Sequence, residues 1–100
     1  MILTTTNSIE GFRIIEYKGI ITGTSFETKT KFSFKTEKNK ELTTDVINEA
    51  KEHAFQELQT NASNLNANAV VGINVDFETV NGSYFFVSVT GTAVSVAPQK

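Results

Sequence analysis

The sequence predicts an α+β fold, a β-α-β-β subunit in which one long helix packs on a β-sheet. Residues 12–23 are rich in β-branched and aromatic side chains, which is typical of a strand. Apolar residues then recur every three or four positions across 41–65, the period of an amphipathic helix. Two further strand-like runs follow at 69–80 and 83–96. These observations place the helix between the first strand and a C-terminal hairpin.

The hairpin is predicted from Asn81 and Gly82, which separate the last two strands. Asn-Gly is typical of a two-residue type I′ turn because both residues tolerate positive φ. The helix carries the chain back, so the first two of the three long strands run in the same direction and the third runs against them. With the third strand in the middle, the sheet is antiparallel with strand order 1-3-2. A short edge strand within 2–6 is expected before them.

Several single residues predict where these elements bend, begin and end. Gly19 indicates a bend or bulge in the first strand. Thr43 or Thr44 is expected to cap the start of the helix. Asn66 is expected to end it in a left-handed conformation, the role that Gly usually takes.

Alternation along the strands predicts which side chains lie under the helix. Successive strand residues point to opposite faces of a sheet, so residues two apart share a face. On the last strand the opposite row is apolar at both ends and hydroxylic in the middle. The rows expected under the helix are Val71, Ile73, Val75 and Phe77, and Val87, Val89, Gly91 and Ala93.

The composition is that of a single domain, residues 1–100. It is 39% hydrophobic and 20% charged, and it contains no cysteine, which excludes disulfides, thiolate metal sites and Cys nucleophiles. No signal-peptide pattern and no apolar run long enough to cross a membrane is present, so a cytoplasmic location is expected. The net charge of −2 argues against a nucleic-acid surface spread over the whole molecule.

The Lys-rich segment 25–41 has two interpretations. Lysines interleaved with Phe32 and Phe34 are a pattern seen where proteins bind nucleic acids or other anionic partners. The same segment alternates strictly, with its aromatic residues on one side and its charges on the other, which favours an amphipathic strand or arm.

One stripe of the predicted helix is the first candidate metal site. Glu49, His53 and Glu57 are four residues apart, so neighbouring members could share a transition metal. A solvated helix face is the competing interpretation, which we favour because a zinc site usually needs three or four convergent ligands.

A second candidate is the polar row Asn74, Asp76 and Glu78 on one face of the strand at 69–80. Alternate residues of a strand are separated by about 7 Å, so one cation cannot easily contact all three. The row is better explained as the hydrated side of a strand, or as a polar lining where several copies surround a channel.

No catalytic constellation is evident, and we expect the protein not to be an enzyme and to need no cofactor. The sequence has no glycine-rich phosphate loop and no nucleophile elbow, and its single histidine has no sequence-specified Ser or Asp partner.

Apolar surface that one helix cannot cover predicts self-association. The face opposite the helix keeps Tyr84 and Phe86 near one end of the last strand, and Phe26, Phe32 and Phe34 add more apolar surface. Together these would exceed what a soluble monomer normally exposes. We therefore expect these five aromatic residues to contribute to a homo-oligomer interface.

Four segments of the chain resemble the YbjQ-like family. They are "EGFRIIEYKGIITG", "AFQEL", "NANAVVGINVDFETV" and "VSVTGTAV". The members of this family are small bacterial and archaeal proteins of unknown function that are sometimes labelled heavy-metal-binding. The resemblance covers 2–23 and roughly 50–94, while 25–41 departs from the family pattern. It implies a subunit similar to the dodecin-type fold, assembled as a homopentameric ring. The alternatives from the residues themselves are a metal-binding protein using His53 and carboxylates, and a binder of anionic partners using 25–41.

Overall fold

The computed structural model describes residues 1–28, 39–80 and 84–99, and their side chains outside 27–46 and 80–84. It contains one helix on one face of a four-stranded sheet of order β1-β3-β4-β2. The elements are β1 Ile2–Leu3, β2 Phe12–Thr28, α1 Asn39–Asn64, β3 Ala69–Val80 and β4 Tyr84–Pro98.

The sheet is mixed, which corrects the expectation of a wholly antiparallel one. β4 is antiparallel to both of its neighbours, β2 and β3, but β1 lies parallel to β3 at the sheet edge. The chain after β1 keeps following β3, because Thr4 N donates to Val70 O at 3.0 Å and Gly72 N donates to Thr6 O at 2.8 Å. The N-terminal segment therefore covers the first half of this edge.

Glycines with positive φ mark irregularities in two strands. Gly19 has a φ of 138° beside a register shift in β2, which confirms the predicted bulge. Gly72 has a φ of 61° beside a shift in β3 between Val71 and Asn74. The second irregularity places Val71 on the face opposite Ile73, so the predicted row under the helix is wrong at Val71.

Helix α1 ends as predicted but begins earlier. Asn66 has a φ of 62°, and Asn66 N donates to Ser63 O at 2.9 Å while Ala67 N donates to Ala62 O at 3.1 Å. These bonds form the Schellman motif that closes many helices. Because α1 begins at Asn39, Thr43 and Thr44 lie inside it, and the predicted N-cap is wrong.

The main core lies between α1 and the sheet. The helix contributes a fully buried stripe repeating every four residues, and it lies mainly over β2 and β4 rather than β3. A second, smaller core on the opposite face is covered by the N-terminal segment, where Val94 and Val96 pack against Ile9 and Phe12. The buried helical stripe consists of Ala50, Ala54, Leu58 and Ala62.

The C-terminal hairpin is present as β3 and β4, with Val80 and Tyr84 as the last described pair. The predicted Asn81–Gly82 turn itself lies outside the described residues.

Gly23 fixes how closely α1 approaches β2. A Cβ at this position would lie 2.0 Å from Ala54 O and 2.6 Å from Leu58 N, both backbone atoms of the helix. The helix backbone therefore rests directly on the strand backbone at this point. At Gly91 the nearest atom to such a Cβ is a side-chain carbon of Val70, at 2.5 Å.

We expect Gly23→Ala to lower the free energy of unfolding by about 3 kcal/mol or more, because the helix must move away from the sheet. Gly91→Ala is the comparison variant, and it should cost less, about 1–3 kcal/mol, because the added methyl group meets the buried side chains of Val70 and Ile73 rather than the backbone of the helix. Urea denaturation of both variants measures the difference. Equal costs would contradict the close approach at Gly23.

Candidate functional site

The distal half of the sheet face opposite α1 carries a polar surface built from three strands. Residues directly opposite one another in a ladder share a face, so the register defines its rows. Thr22 pairs with Thr90 and Thr90 with Asn74, and the next row contains Thr24, Ser88 and Asp76. We call these six residues, four with hydroxyl side chains together with Asn74 and Asp76, the hydroxyl band.

Aromatic side chains border the hydroxyl band at the hairpin end. Phe26 pairs with Phe86, and Phe86 pairs with Glu78. Asn74, Asp76 and Glu78 are all exposed, as expected for the hydrated side of a strand. The row is thus an open surface rather than a lined pocket.

The acidic members of this face have no cationic neighbour in the described structure. Within residues 1–26, 47–79 and 85–99, the ion pair is Lys18 with Glu16, at 2.9 Å. Asp76 and Glu78 are two residues apart on the strand, about 7 Å along it, so they do not form a bidentate clamp. The surface is suited to contacts with hydroxyl groups, water or weakly held cations.

The predicted metal stripe lies on exposed positions of α1, but its members do not converge. Glu49, His53 and Glu57 are all exposed. Glu57 Oε1 accepts a hydrogen bond from Thr24 N at 3.2 Å, which directs this carboxylate to the sheet edge. No group of three or more His, Asp or Glu side chains that could hold a metal ion occurs in the part of the chain that the structure describes.

A second helix side chain contacts the same strand. The Asn61 side-chain amide donates to Thr22 O at 2.8 Å. Glu57 and Asn61 are one helical turn apart, so they lie side by side along β2. This pair was not predicted from the sequence, because its role depends on the separation of helix and strand that Gly23 sets.

The predicted aromatic interface is only partly described. Phe26 is 61% exposed and Phe86 is half-buried. The side chain of Tyr84 and the whole of Phe32 and Phe34 lie outside the described residues, as does most of the Lys-rich segment 25–41, of which 25–28 belong to β2 and 39–41 to α1.

Two apolar residues predicted to lie under the helix are in fact exposed. Val75 is on the helix side of β3, yet it is 38% exposed, and Phe77 is 42% exposed. Phe77 packs on Phe85 with ring centroids 5.4 Å apart. They lack cover because α1 lies over β2 and β4. Their alternation gave the correct face but could not show how far the helix reaches across the sheet.

Comparison with known proteins identifies the family. The model of the YbjQ-like family, described as "Putative heavy-metal-binding", matches residues 1–97. The chain belongs to this family. A UPF0145 protein of Acetivibrio thermocellus is 36% identical over 106 residues, covering 96% of this chain and 99% of that protein. A UPF0145 protein of Clostridium kluyveri is 37% identical over 106 residues, with the same coverage.

A solved structure shares the fold. A protein of unknown function from Pediococcus pentosaceus, assigned to the DUF74 family, superposes with a TM-score of 0.66 and 20% sequence identity. The match covers 97% of this chain and 98% of the other.

The family description does not fit the side chains that the structure describes. The sequence has no cysteine and a single histidine, and Glu57 is held by the backbone of β2. A softer transition metal would prefer thiolate or imidazole ligands.

No α-helix among the described residues is long and apolar enough to cross a membrane.

We expect His53→Ala to leave the metal content of the purified, untagged protein unchanged. Its free energy of unfolding should change by less than about 0.5 kcal/mol, because substitutions at exposed helix positions are usually nearly neutral. Elemental analysis and thermal denaturation measure the two quantities. Loss of a stoichiometric metal from the variant would establish His53 as a ligand.

Proposed function

We propose that the protein works as a homo-oligomeric assembly, a cytoplasmic homopentameric ring without a catalytic centre. The observation that carries this proposal is its shape. The Cα radius of gyration is 16.3 Å and the principal extents are 55 × 20 × 18 Å. A compact domain of this length has a radius of gyration of about 13 Å. Such an elongated chain leaves apolar surface that further copies can cover.

The exposed area supports the same proposal. The chain exposes 6662 Å², whereas a compact monomer of its mass exposes about 5,600 Å². The excess, about 1,000 Å², is similar to the area of about 800 Å² that one partner buries in a standard interface. An ordinary protein–protein contact would therefore bring the exposed area into the normal range.

The position of the exposed apolar side chains favours a ring over a symmetric dimer. One group lies on β3, at Val75 and Phe77, and another on the opposite edge strand β2, at Tyr17 and Ile20, which is 79% exposed. A contact between two different surfaces is heterologous, and it closes into a ring when the rotation permits. The number five and the dodecin-type subunit are taken from the family resemblance, and the strand order 1-3-2 for β2, β3 and β4 is the one predicted from the path of the chain.

We expect Phe77→Lys to dissociate the assembly while leaving an isolated subunit folded. Phe77 is 42% exposed in the single chain, so a monomer loses mainly the ring contact with Phe85 and can keep the lysine in water, but a lysine buried in an interface without a partner is strongly unfavourable. Sedimentation velocity at micromolar concentration measures the effect.

Leu65→Lys is the matched control for Phe77→Lys. Leu65 is 40% exposed just after α1, where a cation is compatible with the helix dipole. This variant should assemble as the wild type does. A wild-type protein that sediments as a monomer would refute the proposed function.

A further inference from the structure

Two side chains of α1 close the outer edge of β2 at its centre. Asn61 donates its amide N–H to Thr22 O at 2.8 Å, and Glu57 Oε1 accepts from Thr24 N at 3.2 Å. An edge strand normally presents such groups unpaired, and another strand can add to them. At Thr22 and Thr24 these backbone groups are already hydrogen-bonded to the helix.

Together the two side chains reproduce the hydrogen bonds of one residue in a parallel strand. Such a residue donates its N–H to one carbonyl of the neighbouring strand and accepts from the N–H two residues further on. Asn61 provides the donor and Glu57 the acceptor. A related arrangement occurs at Asn68, whose side chain donates to Val96 O at 3.0 Å and accepts from Val96 N at 2.8 Å, the two bonds that a residue exchanges with its partner in an antiparallel pair.

Among the residues that the structure describes, the opposite edge of the sheet has no neighbouring strand over residues 74–79. The N-terminal segment pairs with β3 only as far as Ile73, whose N–H donates to Thr4 O at 3.1 Å. The N–H and C=O groups of successive residues point alternately to the two sides of a strand. Those of Val75, Phe77 and Thr79 therefore point away from β4, as the N–H of Ile73 does. They have no backbone partner among the residues that the structure describes.

We propose that copies of this chain associate through the open edge of β3, residues 74–79, and that Glu57 and Asn61 direct association there by closing β2. The occupant is the first half of β2 of a second copy, residues 12–20, which lies before the contacts of Glu57 and Asn61 and carries the exposed Tyr17 and Ile20; it would extend the sheet and cover Val75 and Phe77 beside that edge. This inference rests on the self-association proposed above and adds the surface that performs it. An open edge flanked by exposed apolar side chains is a template for pairing with another chain, whereas an edge already hydrogen-bonded to a helix is not.

Thr79→Pro tests the open edge. Proline lacks the outward N–H but leaves the ladder to β4 intact, so an edge strand tolerates it when that N–H faces solvent. In the assembly one intermolecular hydrogen bond is lost, and we expect the dissociation constant of the assembly to rise about tenfold or more. Thr79→Ala keeps the N–H and is the control, expected to match the wild type. Sedimentation velocity over a dilution series measures both.

The double variant Glu57→Ala with Asn61→Ala tests the closed edge. With β2 opened, a second site for strand addition appears, so species larger than the wild-type assembly should form. Gln56→Ala with Thr60→Ala is the matched control, since these exposed residues have the same spacing and belong to the outer helix surface. Glu57→Gln alone retains an oxygen acceptor and should behave as the wild type. Light scattering measures the size distribution.

The outcomes separate this inference from the proposed function. A monomeric wild type refutes the assembly itself. A wild type that assembles while Thr79→Pro dissociates no more readily than Thr79→Ala overturns the assignment to the β3 edge. A double variant at 57 and 61 whose size distribution equals that of its control overturns the role of Glu57 and Asn61.

Discussion

The contact between the backbones of α1 and β2 at Gly23 determines much of the remaining structure. Because no side chain separates Gly23 from Ala54 and Leu58, the backbone of the helix packs directly against the backbone of this strand. The small residues of its buried stripe permit that approach along its length. Two consequences follow from the position of the helix: it leaves Val75 and Phe77 in the distal half of β3 exposed, and it brings Glu57 and Asn61 within hydrogen-bonding distance of the edge of β2.

Local rules account for the parts of the fold that the sequence could predict. The period of α1, its end at Asn66 and the bulge at Gly19 depend on the conformational preferences of a few neighbouring residues. The shared face of Asn74, Asp76 and Glu78 follows from strand alternation in the same way. These features needed no knowledge of which elements meet.

Features that depend on distant contacts could not be obtained in this way. Alternation assigned Val71 to the helix side, but a glycine with positive φ at Gly72 shifts the register and reverses its face. Val75 and Phe77 were assigned to the correct face, and their exposure arises from the lateral position of α1. Glu57 belongs to a helical stripe that suggested metal ligands, whereas its carboxylate accepts a hydrogen bond from a backbone N–H that lies 33 positions away in sequence.

Element lengths explain why one helix cannot complete this core. The 26 residues of α1 span about 39 Å, whereas the 17 residues of β2 extend about 56 Å. The contact of Asn61 with Thr22 lies three residues before the helix ends at Asn64, so the first half of β2 extends beyond the helix. The N-terminal segment covers the opposite face there, and β3 lies to the side of the helix. Lengthening α1 would cover more of β2 but would add nothing over the distal half of β3, which is why Val75 and Phe77 are the exposed side chains on which the proposed self-association rests.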